Sequence, residues 1–103
     1  MSDEELTAAL AAALHEVLDP ETGVNLIDLG LIYDVLWDPA SHTVEVTMTL
    51  TSAACPAGDA MVEGIKRRLL QVPDVAQVEV RVTFDPPWTP GRISPAGRTQ
   101  LGW

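Results

Sequence analysis

The sequence has one cysteine, six basic residues and two histidines among its 103 residues. A single cysteine cannot close an internal disulfide, which argues against a disulfide-stapled secreted fold and points to a reducing compartment, the cytoplasm. Six Lys and Arg stand against fifteen Asp and Glu, a formal charge of −9 at pH 7. Such a surface repels phosphate backbones and anionic headgroups, so neither nucleic acid nor membrane is an expected partner; basic patches on other proteins suit it better. The acidic opening Met1-Ser2-Asp3-Glu4-Glu5 lacks the basic stretch that begins a secretion signal. The apolar run from Ala8 to Leu14 falls far short of the roughly 20 residues of a membrane span. His15 and His42 belong to no H-x-x-x-H or C-x-x-C spacing, so no zinc site is expected. Neither G-x-G-x-x-G nor a P-loop occurs, and nucleotide binding has no support.

What is present suffices for one domain over residues 1–103. Its apolar share, 47%, is too high for intrinsic disorder. A chain of this length buries roughly two-thirds of its unfolded surface, enough for a core without staples. Ser2 and Glu5 form an S-x-x-E capping box ahead of Leu6, Leu10, Leu14 and Val17, which predicts a helix over about residues 3–18 ended by Asp19-Pro20. Leu31, Tyr33, Val35 and Trp37 alternate as one face of a strand, and Asp38-Pro39-Ala40-Ser41 turns the chain into a hairpin. Val44, Val46, Met48 and Leu50 alternate with polar residues in a second strand. Met61, Ile65 and Leu69 give the stripe of a second helix, with Pro56 at its first position, basic residues in its last turns and Pro73 beyond its end. Val78, Val80, Val82 and Phe84 mark a third strand. The order α-β-β-α-β, with every strand apolar on one face, predicts a two-layer α/β (α+β) domain whose three-stranded sheet is covered by helices on one face. Residues 85–103 are rich in proline and tryptophan; Trp88, Ile93, Leu101 and Trp103 predict that this segment packs back on the domain, with a short helix from Ser94 to Leu101.

Cys55 is the residue on which chemistry would centre. With Pro56 opening the helix, Cys55 becomes its N-cap, where free backbone N–H groups and the helix dipole favour the thiolate that attacks electrophiles and binds metal. Thr51 and Ser52 bring hydroxyls close to it in sequence. A lone cysteine is equally at home as a small buried hydrophobe. Asp19, Glu21 and Asp28 are candidate acid–base groups or ligands for a hard metal ion, with turn formation as the competing role. The run Asp85-Pro86-Pro87-Trp88 forms either a wall beside a site or the edge of the core.

Three segments together resemble one family. The stretches Asp19-Pro20-Glu21 and Asn25-Leu26-Ile27-Asp28-Leu29-Gly30-Leu31-Ile32-Tyr33 are similar to the opening signature of the SufT/PaaD-like metal–sulfur cluster assembly proteins, which include the iron–sulfur assembly factor that binds the MMS-nineteen protein. Thr49-Leu50-Thr51 with Cys55-Pro56 and Asp59-Ala60 resembles the cysteine loop. Asp85-Pro86-Pro87-Trp88-Thr89-Pro90 with Arg92 and Leu101-Gly102 resembles the C-terminal motif. The resemblance implies a scaffold like the NifU C-terminal domain and a role as carrier or adaptor in iron–sulfur protein maturation, rather than as a turnover enzyme. It implies Cys55 as the functional thiol, supported by Asp19, Glu21, Asp28, Thr51, Asp59, Asp85 and Trp88. Two departures stand out: Ala54 replaces a common glycine, and no cysteine-rich extension of the PaaD type follows, which favours the short SufT-like branch.

A cluster usually takes roughly four protein thiolates, and this chain offers one. Any cargo is therefore expected to be a labile iron–sulfur cluster or iron, shared across a homodimer or with a partner. The expected partners are the iron–sulfur assembly machinery and client apoproteins. The alternatives are an interaction module with a structural Cys55, an accessory protein of a phenylacetyl-CoA-type oxygenase, and a small thiol enzyme that would need a base near Cys55. Chain order also predicts that the 19–30 loop, Cys55 and the Asp85–Trp88 run meet at one end of the sheet.

Overall fold

The computed structural model describes residues 2–51 and 57–103. Helix α1 runs Asp3–His15, strand β1 Ile32–Asp38, strand β2 Thr43–Met48, helix α2 Gly58–Leu70, strand β3 Gln77–Val82 and helix α3 Pro95–Leu101, with a 3₁₀ turn at Pro90–Arg92. The α-β-β-α-β order of the sequence reading is present, followed by the short terminal helix. Ser2 caps α1 by accepting the Glu5 N–H, and its hydroxyl donates to the Glu5 carboxylate. The helix stops at His15, three residues short of the expected end, because Val17 and Leu18 already pair with the next loop: Leu26 N–H bonds the Val17 carbonyl and Leu18 bridges Asn25.

The sheet order is β1-β2-β3. β1 and β2 form the antiparallel hairpin, whereas β2 and β3, joined through α2, run parallel. Val44, Val46 and Met48 are fully buried, as are Ile65 and Leu69 of α2, while Leu6, Leu10 and Leu14 bury the stripe of α1. Helices therefore cover one sheet face. On the other face Leu36 lies opposite Glu45, and Arg81 reaches across to Glu45 at 3.1 Å.

Three expectations need correction. Tyr33 does not share the face of Val35 and Trp37. The register slips between Ile32 and Asp34, a bulge, so Ile32 joins Val35 and Trp37 against the core and Tyr33 is turned toward Pro86. Phe84 does not extend the third strand. β3 ends at Val82, one further ladder bond runs from Thr83 N–H to the Met48 carbonyl, and Phe84 is exposed. Trp103 does not pack back. Gly102 takes a left-handed conformation (φ 78°), Trp103 N–H closes onto the Arg98 carbonyl, and the indole is left 69% exposed. The rest of the terminal segment does return to the domain: Ile93 is buried and Leu101 packs against the core.

Candidate functional site

The hairpin places the start of β1 beside the end of β2, and the parallel pairing places the end of β3 there too. The register makes this concrete, since Ile32 and Val82 are both partners of Met48. Thr49 N–H bonds the Leu31 carbonyl and Thr83 N–H bonds Met48. The loop before β1, the chain leaving β2 and the chain leaving β3 thus meet at one end of the sheet. For the loop before β1 and the chain leaving β3 this is the convergence expected from chain order; the place expected for Cys55 lies outside the described residues.

Cys55 and Pro56 lie outside the described residues, and so do Ser52 to Ala54. The described residues on either side of that segment lie close together. Leu50 is buried, and α2 begins nearby: a Cβ at Gly58 would lie 2.9 Å from Leu50 Cδ1, so glycine makes room for that side chain. The N-cap of α2 is Ala57, which offers no side-chain bond; this is two residues after the cap position the sequence suggested. Thr51, at the near edge of the segment, is exposed, and Asp59 is exposed in the first turn of α2.

Asp28 is the best-connected carboxylate at this end. Asn25 Nδ2 donates to Oδ2 at 2.6 Å, and Ser94 Oγ donates to Oδ1 at 2.8 Å. Its own N–H bonds Asn25 Oδ1, and its carbonyl accepts the Ser94 N–H. The hydrogen bond from Asn25, then that from Ser94, holds the Asp28 carboxyl below the usual carboxylate range, with a smaller pull from the charge of His15. Desolvation opposes these without overcoming them. Asp28 therefore clamps the loop to the α3 cap.

Trp88 is half-buried and donates its indole N–H to the Leu29 carbonyl at 2.8 Å. Tyr33 Oη donates to the Pro86 carbonyl at 2.8 Å, and the Arg92 guanidinium lies 4.7 Å from the centre of the Tyr33 ring. Gly30, at φ +75°, packs directly on the Arg92 backbone. The carboxylate of Asp85 is exposed, while its N–H and carbonyl both engage the Thr83 hydroxyl.

Asp19 and Glu21 do not join this group through any hydrogen bond among the described residues. The Asp19 carboxylate is buried and turned onto its own loop, accepting the Glu21 N–H and the Thr22 hydroxyl. Glu21 is exposed. His42 stands at the opposite end of β2, bonded to the Asp74 carbonyl. Among the described residues no three His, Cys, Asp or Glu side chains are grouped to hold a metal ion.

Sequence reasoning missed Ser94, Asn25 and the Tyr33–Arg92 stack. Ser94 before Pro95 was legible as a helix cap; that it also reaches Asp28, 66 residues away, was not.

Residues 7–82 match the family of iron–sulfur cluster assembly proteins. The chain belongs to that family. Within it, the chain is 40% identical over 100 residues to the Fe–S protein maturation auxiliary factor YitW of Bacillus subtilis, with 97% of each chain covered. It is 37% identical over 86 residues to the maturation auxiliary factor SufT of Staphylococcus aureus, covering 84% of this chain and 97% of that one. A domain of unknown function from Bacillus anthracis has the same fold: TM-score 0.88 at 40% identity, covering 96% of this chain and 93% of that one. Family membership accords with the resemblance read from the three motifs, and the family match covers β1 to β3, the whole of α2 and α1 from Thr7 onward. The terminal segment with Trp88, Arg92 and Ser94 lies beyond the matched residues, yet it is hydrogen-bonded into the same end of the sheet.

Proposed function

We propose that this chain matures iron–sulfur proteins as a carrier or adaptor, using Cys55 as the thiol that holds cargo or engages a client. The observation that carries the reading is the shared end of the sheet. Three segments distant in sequence are brought together there by register and by the Trp88–Leu29 and Asp28–Ser94 hydrogen bonds. The described residues flanking the cysteine segment, Thr49 and Gly58, belong to this same end, which supports a role for the thiol there. The names of the similar proteins YitW and SufT, both maturation auxiliary factors, support the same role.

One thiolate cannot enclose a cluster, so the cargo is labile: an iron–sulfur cluster or iron, completed by thiols of a second copy or of a client. Partners are then the assembly machinery and client apoproteins, in a reducing cytoplasm where the thiol stays free. The supporting groups are Asp28, Thr51, Asp59, Asp85 and Trp88, with Asp19 and Glu21 shaping the entry loop. The chain is an assembly factor and not a turnover catalyst, since its role is complete when cargo or client is passed on.

The test is client activation in cells carrying Cys55→Ser. Activities of iron–sulfur enzymes should fall as in a deletion strain while the variant remains folded. Wild-type client activity in the Cys55→Ser strain would leave an interaction module with a structural cysteine.

A further inference from the structure

The six basic side chains of this acidic protein are not equivalent. Arg68 pairs with Glu16 and Arg81 with Glu45, both at 3.1 Å. Arg98 donates to the carbonyls of Ile93 and Pro90. Lys66 and Arg67 stand in the last turns of α2, away from the shared sheet end where that helix begins. Arg92 differs from Arg98, its neighbour in the terminal segment: among the described residues its guanidinium has neither a carboxylate nor a carbonyl partner.

Yet this cation is held in place. It lies over the Tyr33 ring at 4.7 Å, a favourable cation–π contact. The ring is itself fixed, because its hydroxyl is bonded to the Pro86 carbonyl. The Arg92 backbone is pinned as well. Gly30, at φ +75°, lets the two chains approach so closely that any Cβ there would overlap the Arg92 carbonyl, and Arg92 N–H bonds the Thr89 carbonyl. Gly30, Ile32, Tyr33, Pro86 and Arg92 line a shallow depression open to solvent. An exposed arginine ordinarily loses rotamer freedom when it binds an anion; here the stack has already restricted it.

The geometry points to Arg92, on its Tyr33 platform, as the recognition residue for a carboxylate of a client or partner protein. A planar guanidinium fork matches a carboxylate through two parallel N–H···O bonds. A dianionic phosphate is disfavoured by a chain of net charge −9 that lines this depression with a single guanidinium. The assignment rests on the maturation reading for the identity of the partner, but not for the binding itself.

Tyr33 is the sole tyrosine, so its ring resonances report the depression without overlap. The protein is titrated at constant ionic strength with N-acetylglutamate amide for a side-chain carboxylate and N-acetyltriglycine for a chain terminus. N-acetylglutamine amide and inorganic phosphate serve as controls, and the Tyr33 ring and Arg92 Nε–H signals are followed by NMR. At least one carboxylate should give saturable shifts at both groups, with the stronger arm naming the source, and the neutral amide none. Arg92→Gln should abolish saturation, and Arg92→Lys, which keeps charge but loses the fork, should raise the half-saturating concentration about tenfold. Absence of saturation with both carboxylates, equal shifts with the neutral amide, a preference for phosphate, or unchanged binding in Arg92→Gln each overturns the assignment. Because these readouts need no cluster and no client, they separate failure of this site from failure of the maturation role.

Discussion

Ser94 Oγ donates to Asp28 Oδ1 at 2.8 Å, joining the cap of the last helix to the loop that precedes the first strand. The same two residues also share a backbone bond, Ser94 N–H to the Asp28 carbonyl, and Gly97 keeps the contact close: a Cβ there would lie 2.9 Å from that carbonyl oxygen. The pairing turns the terminal segment into a wall of the shared sheet end.

Acid should weaken this clamp in a defined direction. The Asp28 carboxyl is held below its ordinary value by Asn25 and then Ser94, so its ionised form is favoured in the folded state. The stability it contributes is complete above the unfolded carboxylate value of about 4 and drains away as pH falls through the lower folded value. Asp28→Asn should therefore cost about 1.5 kcal/mol at pH 7, the low end for hydrogen bonds to a charged group because Asp28 is half-exposed. Urea unfolding of both proteins at several pH values checks this. A gap between them that widens toward pH 3 would contradict the account.

Two glycines with similar backbones should respond differently to alanine. Gly23 (φ +73°) faces open space, whereas Gly30 (φ +75°) faces the Arg92 backbone. Gly23→Ala should cost about 1 kcal/mol from the left-handed conformation alone. Gly30→Ala should cost about 2–3 kcal/mol more, because backbone must shift rather than a flexible side chain. Thermal melts of the pair isolate the close approach; equal losses would show that Arg92 is not pinned there.

Trp88→Phe removes one hydrogen bond while keeping most of the ring, and Trp88→Ala removes both. Expected losses are about 1 kcal/mol for the first, which leaves the Leu29 carbonyl unpaired, and about 2–3 kcal/mol for the second, less than for a fully buried tryptophan. Denaturant midpoints decide. A loss for Trp88→Phe as large as for Trp88→Ala would place the whole effect in the hydrogen bond.

Anaerobic reconstitution with iron and sulfide should give a visible chromophore that is lost in Cys55→Ser and bleached by chelator. Because each chain brings one thiol, the chromophore should require either added small thiols or an assembled dimer, measurable by sedimentation alongside absorbance. A full-strength chromophore in Cys55→Ser would remove the thiol from the cargo site.

Much of this arrangement was legible along the chain. The stripe Leu6, Leu10, Leu14 and the alternation Val44, Val46, Met48 define a helix and a half-buried strand by period alone, and the structure buries each of those residues. Chain order also implied that three loops share one end of the sheet, since a hairpin followed by a crossover leaves little freedom. Period could not show that Tyr33 leaves the face of Val35 and Trp37, because one extra residue in a bulge reverses alternation without changing composition. Nor could it show that Phe84 stops outside the strand or that Trp103 faces solvent. The Asp28–Ser94, Trp88–Leu29 and Tyr33–Arg92 contacts belong wholly to the tertiary structure. Their partners are separated by 66, 59 and 59 positions (94 − 28, 88 − 29 and 92 − 33), and only packing of the terminal segment across the sheet end decides which polar group meets which.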